Sequence, residues 1–217
     1  MTGTFWPYKV RSFFFVLCLL TTSVLAFFLD LGTMPVWSDN EGQRAVPPIE
    51  MLANGDYVIP TINGVDYLTK PPLLYWMIAA SYKLSGTVSE FTARIPTALS
   101  ATLLVLSLYL VSGRLANDTI ARGASILILA CPYFLERSRW TEIDVPFTCA
   151  LFFSTQLVYS AHKTTNVGRA TLLAVLAGGV FAAALLLKGP PALLFMFATV
   201  VAIWVTLGEF SSTNVHI

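Results

Sequence analysis

Trp37-Ser38-Asp39-Asn40-Glu41-Gly42-Gln43-Arg44 opens the longest polar interval of the chain, and Thr69-Lys70-Pro71-Pro72-Leu73-Leu74-Tyr75-Trp76 closes it. An acidic cluster stands at one end and a lysine set against two prolines at the other. Almost everything outside this interval is apolar. The chain is 56% hydrophobic and only 12% charged, with a mean hydropathy of +0.71. Soluble domains carry about a quarter charged residues. Apolar runs recur at the length needed to cross a hydrocarbon core of roughly 30 Å. The runs lack the two-residue alternation of barrel strands, which leaves helices as the spanning form. The fold class is therefore an all-α polytopic membrane protein.

Six spans are expected: Ser12–Leu29, Ile95–Val111, Ile120–Leu135, Val145–Ala161, Leu172–Leu187 and Ala192–Leu207. They form one transmembrane domain over residues 1–207, followed by a short polar tail at 208–217. The first run continues through Phe27, Phe28 and Leu29 without a small-x-small cleavage site, so it reads as a retained anchor. A cytoplasmic N-terminus gathers Lys9, Arg11, Arg114, Arg122, Lys163 and Arg169 on the inside, with Asp118 and Glu209 the acids there. The other face then holds ten of the twelve acids. It also holds the long loop at residues 30–94, the Glu136–Asp144 connector and the Lys188 turn.

Within the loop, Asn40–Leu52 reads as a short helix interrupted by Pro47 and Pro48 and capped by Asp39 or Asn40. Asn54-Gly55-Asp56 and Asn63-Gly64 are turn signals. Pro71 and Pro72 suit the first turn of a helix. Leu73 to Leu84, rich in aromatics, suits a helix in the membrane interface.

Four places can carry chemistry. Lys70 precedes a proline-started helix, where free N–H groups and the helix dipole favour anions; the alternative is a lysine snorkelling at the headgroups. Asp39 and Glu41 can serve as a general base or hold a divalent cation, or merely cap a helix, and Arg44 can pair with them or bind phosphate. Asp144 sits at a span mouth, where desolvation raises a carboxyl toward a useful base. Lys188 ends an apolar run at Lys-Gly-Pro-Pro. The cofactor is open, a divalent cation being one option, and no complete metal-ligand set stands out. Cys18, Cys131 and Cys149 lack metal-ligand spacing and read as small buried apolar residues. The net charge of +1 says nothing about nucleic acid, and no basic tract suggests it, so no nucleic-acid partner is expected.

The blocks D-N-E-G-Q-R-A, E-M-L-A-N-G-D-Y-V-I-P-T-I-N-G-V-D-Y-L-T-K-P-P-L-L-Y-W, F-T-A-R-I-P-T-A-L, T-E-I-D and L-K-G-P occur in this order between Ser38 and Pro191. In this the chain resembles the N-terminal portion of the GT-C membrane glycosyltransferases, in the branch of the aminoarabinose lipid A transferases and protein O-mannosyltransferases. The resemblance implies juxtamembrane helices over a lipid-facing cavity. It implies a polyprenyl-phosphate-linked sugar donor and a lipid, protein or glycan acceptor on the non-cytoplasmic face of the membrane, a bacterial inner membrane being expected. It implies inverting transfer, with an aspartate of the first loop positioning or deprotonating the acceptor, Asp144 at the family's second acidic position, and Lys70 and Lys188 on the donor phosphate. Together with the reading of the residues above, Asp39, Glu41 and Asp144 are the candidate catalytic carboxylates and Lys70, Lys188 and Arg44 the candidate donor-phosphate residues.

The chain also departs from the family pattern. Counting back from Lys70 without a gap places Asn40 at the family's first aspartate, Glu41 next, and Gln43 at a common arginine with Arg44 beside it. Thr69 stands where an acid often precedes the lysine. Either the loop shifts by one and Asp39 serves, or the first acid is absent. Family members are longer, which implies a truncated copy, a frameshifted product or half of a split enzyme, with a partner chain completing the fold. The rival readings are an inactive remnant that binds polyprenyl phosphate, and a transporter or flippase. The latter predicts polar groups inside the spans, which are nearly free of charge here.

Overall fold

The computed structural model describes residues 8–36 and 38–212. It is almost wholly helical: α1 (Tyr8–Phe28), α2 (Asp39–Asn54), a two-stranded hairpin β1 (Thr61–Ile62) and β2 (Val65–Asp66), α3 (Leu73–Ser85), α4 (Glu90–Leu115), α5 (Asp118–Leu129), α6 (Pro132–Ser138), α7 (Asp144–Lys163), α8 (Val167–Lys188) and α9 (Pro191–Ser212). Among the described residues, α4 and α8 are long and apolar enough to cross a membrane, and α5 with α6 makes a third span if the bent pair counts as one. Ser12–Phe28 and Pro191–Ile203 are shorter apolar stretches. In α7 the run Ser154-Thr155-Gln156 lowers the apolar character that the sequence suggested for a span.

Four expectations change. The third span, expected to run unbroken to Leu135, bends by 66° between α5 and α6. Pro132 opens α6 and has no N–H to continue α5. The break is apolar, so hydropathy does not reveal it. Conversely, α2 runs unbroken through Pro47 and Pro48. Both prolines are fully buried, and the Tyr82 hydroxyl donates to the Ala45 carbonyl at 3.3 Å. The carbonyls of Gln43 and Arg44 lose their ladder donors to the prolines, and the tertiary packing that buries both rings offsets that loss. The cap is also different: Ser38 accepts from the Glu41 N–H at 3.2 Å, not Asp39 or Asn40. The backbone of α9 continues helically to Ser212, into the segment expected to be a tail.

The turn signals fold as expected. Gly55 ends α2 in the left-handed region, φ 72°. Asn63 (φ 54°) and Gly64 (φ 75°) turn the hairpin, the geometry for which Asn-Gly is favoured. The Glu50 carboxylate clamps that turn, accepting from the Asn63 N–H at 2.6 Å, the Gly64 N–H at 3.3 Å and the Thr61 hydroxyl.

Two apolar cores hold the helices together. One joins Ala45 of α2, Leu74, Ile78 and Tyr82 of α3, Phe147 of α7, Leu187 of α8 and Ala192 of α9. The other joins Leu19 and Phe27 of α1 to Ala98, Ala101 and Val105 of α4, Ala121 of α5 and Val145 of α7. The first core lies directly beneath the long loop and fixes the ends of α3, α7 and α8 against one another. Cys149 is buried, whereas Cys18 in α1 and Cys131 at the break before α6 are exposed, a correction to their reading as buried residues.

Candidate functional site

The loop, the connector between α6 and α7, and the turn between α8 and α9 meet at one end of the bundle. The connector is the keystone. Arg139 donates to the carbonyls of Ala26 at 2.8 Å and Leu29 at 2.7 Å, capping the C-terminal end of α1, where a cation is favoured. The Thr141 N–H donates to Glu41 at 2.8 Å, and Arg44 donates to the Thr141 carbonyl at 3.0 Å. Thr97 of α4 exchanges bonds with the Glu142 backbone at 3.2 and 3.3 Å.

Glu41 is 1% exposed. Arg94 of α4 grips it through two bonds of 2.9 Å. The same guanidinium donates to the carbonyls of Leu31 and Met34 at 2.8 Å and Pro35 at 3.3 Å. Burial alone raises the Glu41 pKa, but the Arg94 bonds and charge and the Thr141 N–H outweigh it, so the carboxyl titrates below its ordinary value. Both oxygens are occupied and the group stays ionised, so this geometry holds a helix rather than accepting a substrate proton. A cavity of about 390 Å³ lies beside the pair, lined by Met34, Pro35, Glu41, Arg94 and Trp140.

Glu142 forms a second buried centre. Arg44 pairs with it at 2.7 Å and Arg137 at 2.8 Å. Arg44 is thus committed to Glu142 and the Thr141 carbonyl. Near it, Tyr75 is fully buried, and its hydroxyl has no hydrogen-bond partner among the described residues. Burial pushes the phenol up to about 12, with the neighbouring Tyr67 adding to the rise and Arg44 opposing it.

Two motifs flagged separately in the sequence are neighbours in the fold. Lys188 pairs with Asp144 and lies 5.4 Å from the Phe147 ring centre. Gly189 follows it with φ 71° and ψ −137°, a conformation that is essentially glycine's own. Its open side faces Pro71: a Cβ built on Gly189 would stand 3.7 Å from Pro71 Cγ. Lys-Pro-Pro and Lys-Gly-Pro-Pro therefore abut, with Lys70 exposed and making no ion pair or hydrogen bond among the described residues. The Tyr67 hydroxyl, donating to Gln43 at 2.8 Å, ties the Lys70 segment back to α2.

The structure thus pairs Lys188 with Asp144, sets the Pro71 that follows Lys70 against the Gly189 that follows Lys188, and places Glu41 and Arg44 in buried ion pairs. Of Asp39 only the backbone is described, at the start of α2; its side chain lies outside the described residues. Arg94 and Glu142 are the functional-face residues that the sequence reading did not single out. An arginine at the mouth of an apolar helix requires a partner, and that signal was present at Arg94. Among the described residues no three His, Cys, Asp or Glu side chains cluster as metal ligands.

A sequence-family model described as dolichyl-phosphate-mannose-protein mannosyltransferase matches residues 69–216. The chain belongs to that family. Its match begins one residue before Lys70 and takes in the connector and the Lys188 turn. An undecaprenyl phosphate-alpha-4-amino-4-deoxy-L-arabinose arabinosyl transferase of Pseudomonas savastanoi pv. phaseolicola is 32% identical over 163 residues, 75% of this chain and 30% of that protein. An uncharacterised protein of Aquifex aeolicus is 32% identical over 177 residues, 81% of this chain and 34% of its own length. The chain therefore spans about a third of the length of these relatives. The fold matches the crystal structure of ArnT from Cupriavidus metallidurans bound to undecaprenyl phosphate, with a TM-score of 0.80 and 21% identity over 96% of this chain and 38% of that one. The apo form of the same protein matches with a TM-score of 0.76.

Proposed function

We propose that this chain carries the donor-binding part of a membrane glycosyltransferase that takes a sugar from a polyprenyl-phosphate carrier. The observation that supports the reading is the approach of Pro71 to Gly189, which makes the residues after Lys70 and after Lys188 neighbours at the bundle end. Two lysines at one membrane boundary suit a lipid phosphate better than two isolated snorkelling side chains, because a shared anion offsets their mutual repulsion. The relatives named as undecaprenyl-phosphate arabinosyl transferases favour undecaprenyl phosphate as the carrier and a bacterial inner membrane as the site. The orientation that fits has the N-terminus in the cytoplasm and the lysines on the periplasmic side.

In the proposed reaction the acceptor hydroxyl oxygen forms a bond to the anomeric carbon. The bond from that carbon to the phosphate oxygen breaks, and the phosphate leaves with the electron pair. Lys70 and Lys188 neutralise the developing charge, the electrostatic contribution expected to be largest. The hydroxyl proton passes to a carboxylate, Asp144 or Asp39 in this reading; Glu41 serves as the structural anchor of α2. The acceptor is a lipid, protein or glycan hydroxyl.

The test is transfer from an undecaprenyl-phosphate sugar by the full chain in lipid nanodiscs, with product scored by mass spectrometry. Product that falls by tenfold or more in both Lys70→Met and Lys188→Met supports the reading. Lysine-dependent donor binding without product favours the rival, a chain that binds the carrier but does not transfer. Binding indifferent to both lysines refutes the site.

A further inference from the structure

We propose that Asp144 is the resident counter-ion of Lys188, and that the donor phosphate displaces it. The inference rests on the reading of the lysine pair as the donor-phosphate site. It follows from a contrast among the ion pairs at this end of the bundle. The carboxylates of Glu41 and Glu142 have side-chain exposures of 2% and 5% and are each held by several donors. Opening either pair strands a buried charge. Asp144 and Lys188 are 52% and 33% exposed, and neither has another hydrogen-bond partner among the described residues. A pair in that setting contributes little and exchanges readily for a better anion.

Each partner also has a resting place once the pair opens. Asp144 is the first residue of α7, where the helix dipole favours a free carboxylate. Lys188 ends α8 and stays over the Phe147 ring, which holds an ammonium by cation–π attraction. The charges fit the exchange. Lys70, Lys188 and Asp144 together carry one net positive charge, and a sugar phosphodiester carries one negative charge. When its oxygen takes the place of the carboxylate on Lys188, both lysines serve the phosphate and the Asp144 side chain is released beside it. The donor then seats first, and the carboxylate becomes free for an acceptor hydroxyl only in the loaded site. An anion too weak to displace the carboxylate, such as a diffuse headgroup contact, leaves the pair closed.

The experiment is equilibrium binding of undecaprenyl phosphate to the full chain in phosphatidylcholine nanodiscs, read by calorimetry, for wild type, Asp144→Asn, Lys188→Met and the double variant. Removing the competing carboxylate is expected to tighten binding about two- to fivefold, the scale of an exposed ion pair. The same substitution is expected to change nothing in the Lys188→Met background. Asp144→Ser, which lacks the amide, is expected to tighten binding as Asp144→Asn does, and guards against an effect of the amide itself. Unchanged or weaker binding in both Asp144 variants overturns the exchange, as does equal tightening without Lys188. If Lys188→Met and Lys70→Met leave the wild-type affinity unaltered, the donor-site reading fails independently of the exchange.

Discussion

Substituting Glu41 by glutamine changes one atom and removes one buried charge. Arg94 is then left with its charge inside the protein, 5% exposed at the side chain, still donating to the carbonyls of Leu31, Met34 and Pro35. Breaking a buried pair from one side costs about 3–5 kcal/mol. Asp144→Asn removes the same charge from a half-exposed pair, and its cost is at most about 1 kcal/mol. The two isosteric substitutions lie at the same end of the bundle, so the difference isolates burial. The assay is equilibrium unfolding in mixed micelles at increasing mole fraction of dodecyl sulfate, followed by tryptophan fluorescence, with Trp140 beside the Glu41 cavity as a local reporter. Glu41→Gln is expected to lower stability at least three times as much as Asp144→Asn. Pairing Glu41→Met with Arg94→Met is expected to recover only part of the loss, because three carbonyls lose their donor. Equal effects of Glu41→Gln and Asp144→Asn would refute the assignment of Glu41 as the anchor of α2.

Further outcomes follow from single groups. The Glu41 pKa is lowered in the fold, so its contribution is fully present above the unfolded carboxylate value and is lost as pH falls through the folded value. Unfolding should become easier in acid, below about pH 4.5, and Glu41→Gln should flatten that slope without abolishing it, since Glu50 is lowered in the same direction. Tyr75→Phe removes a buried hydroxyl without a partner among the described residues and is expected to be neutral or stabilising by up to about 1 kcal/mol in the same titration; a loss above that would reveal a bond to the hydroxyl. Gly189→Ala forces a side chain into a backbone region kept for glycine, costing about 1–3 kcal/mol, and is expected to weaken undecaprenyl phosphate binding by shifting Lys188; unchanged binding would separate the turn from the site.

What could be read from the sequence was written in local signals. The Asn63-Gly64 turn, the Gly55 cap, the helix after Pro71-Pro72 and the break at Lys188-Gly189 each depend on the backbone preference of one or two residues. The alternation of spans gives an expected common face for Lys70, Asp144 and Lys188, because a helix that crosses must return, and the fold pairs Lys188 with Asp144 and sets Gly189 against Pro71. What could not be read depends on distance along the chain. Glu41 and Arg94 are 53 residues apart, and either could have met another partner. Arg44 was open to phosphate until Glu142 was found against it. Pro47 and Pro48 argue locally for a broken helix, and only their burial in the fold explains why α2 continues. The bend at Pro132 was hidden because the residues on both sides are equally apolar.

The central claim is that Lys70 and Lys188 act together on one lipid phosphate, and a double-mutant cycle of undecaprenyl phosphate affinity in nanodiscs tests it most directly. Each Lys→Met change is expected to weaken binding about tenfold or more, the scale of a hydrogen bond to a charged group. The double variant is expected to lose less than the product of the two, because both lysines share one ligand. Losses that multiply independently, or an affinity unchanged in the double variant, would contradict the claim.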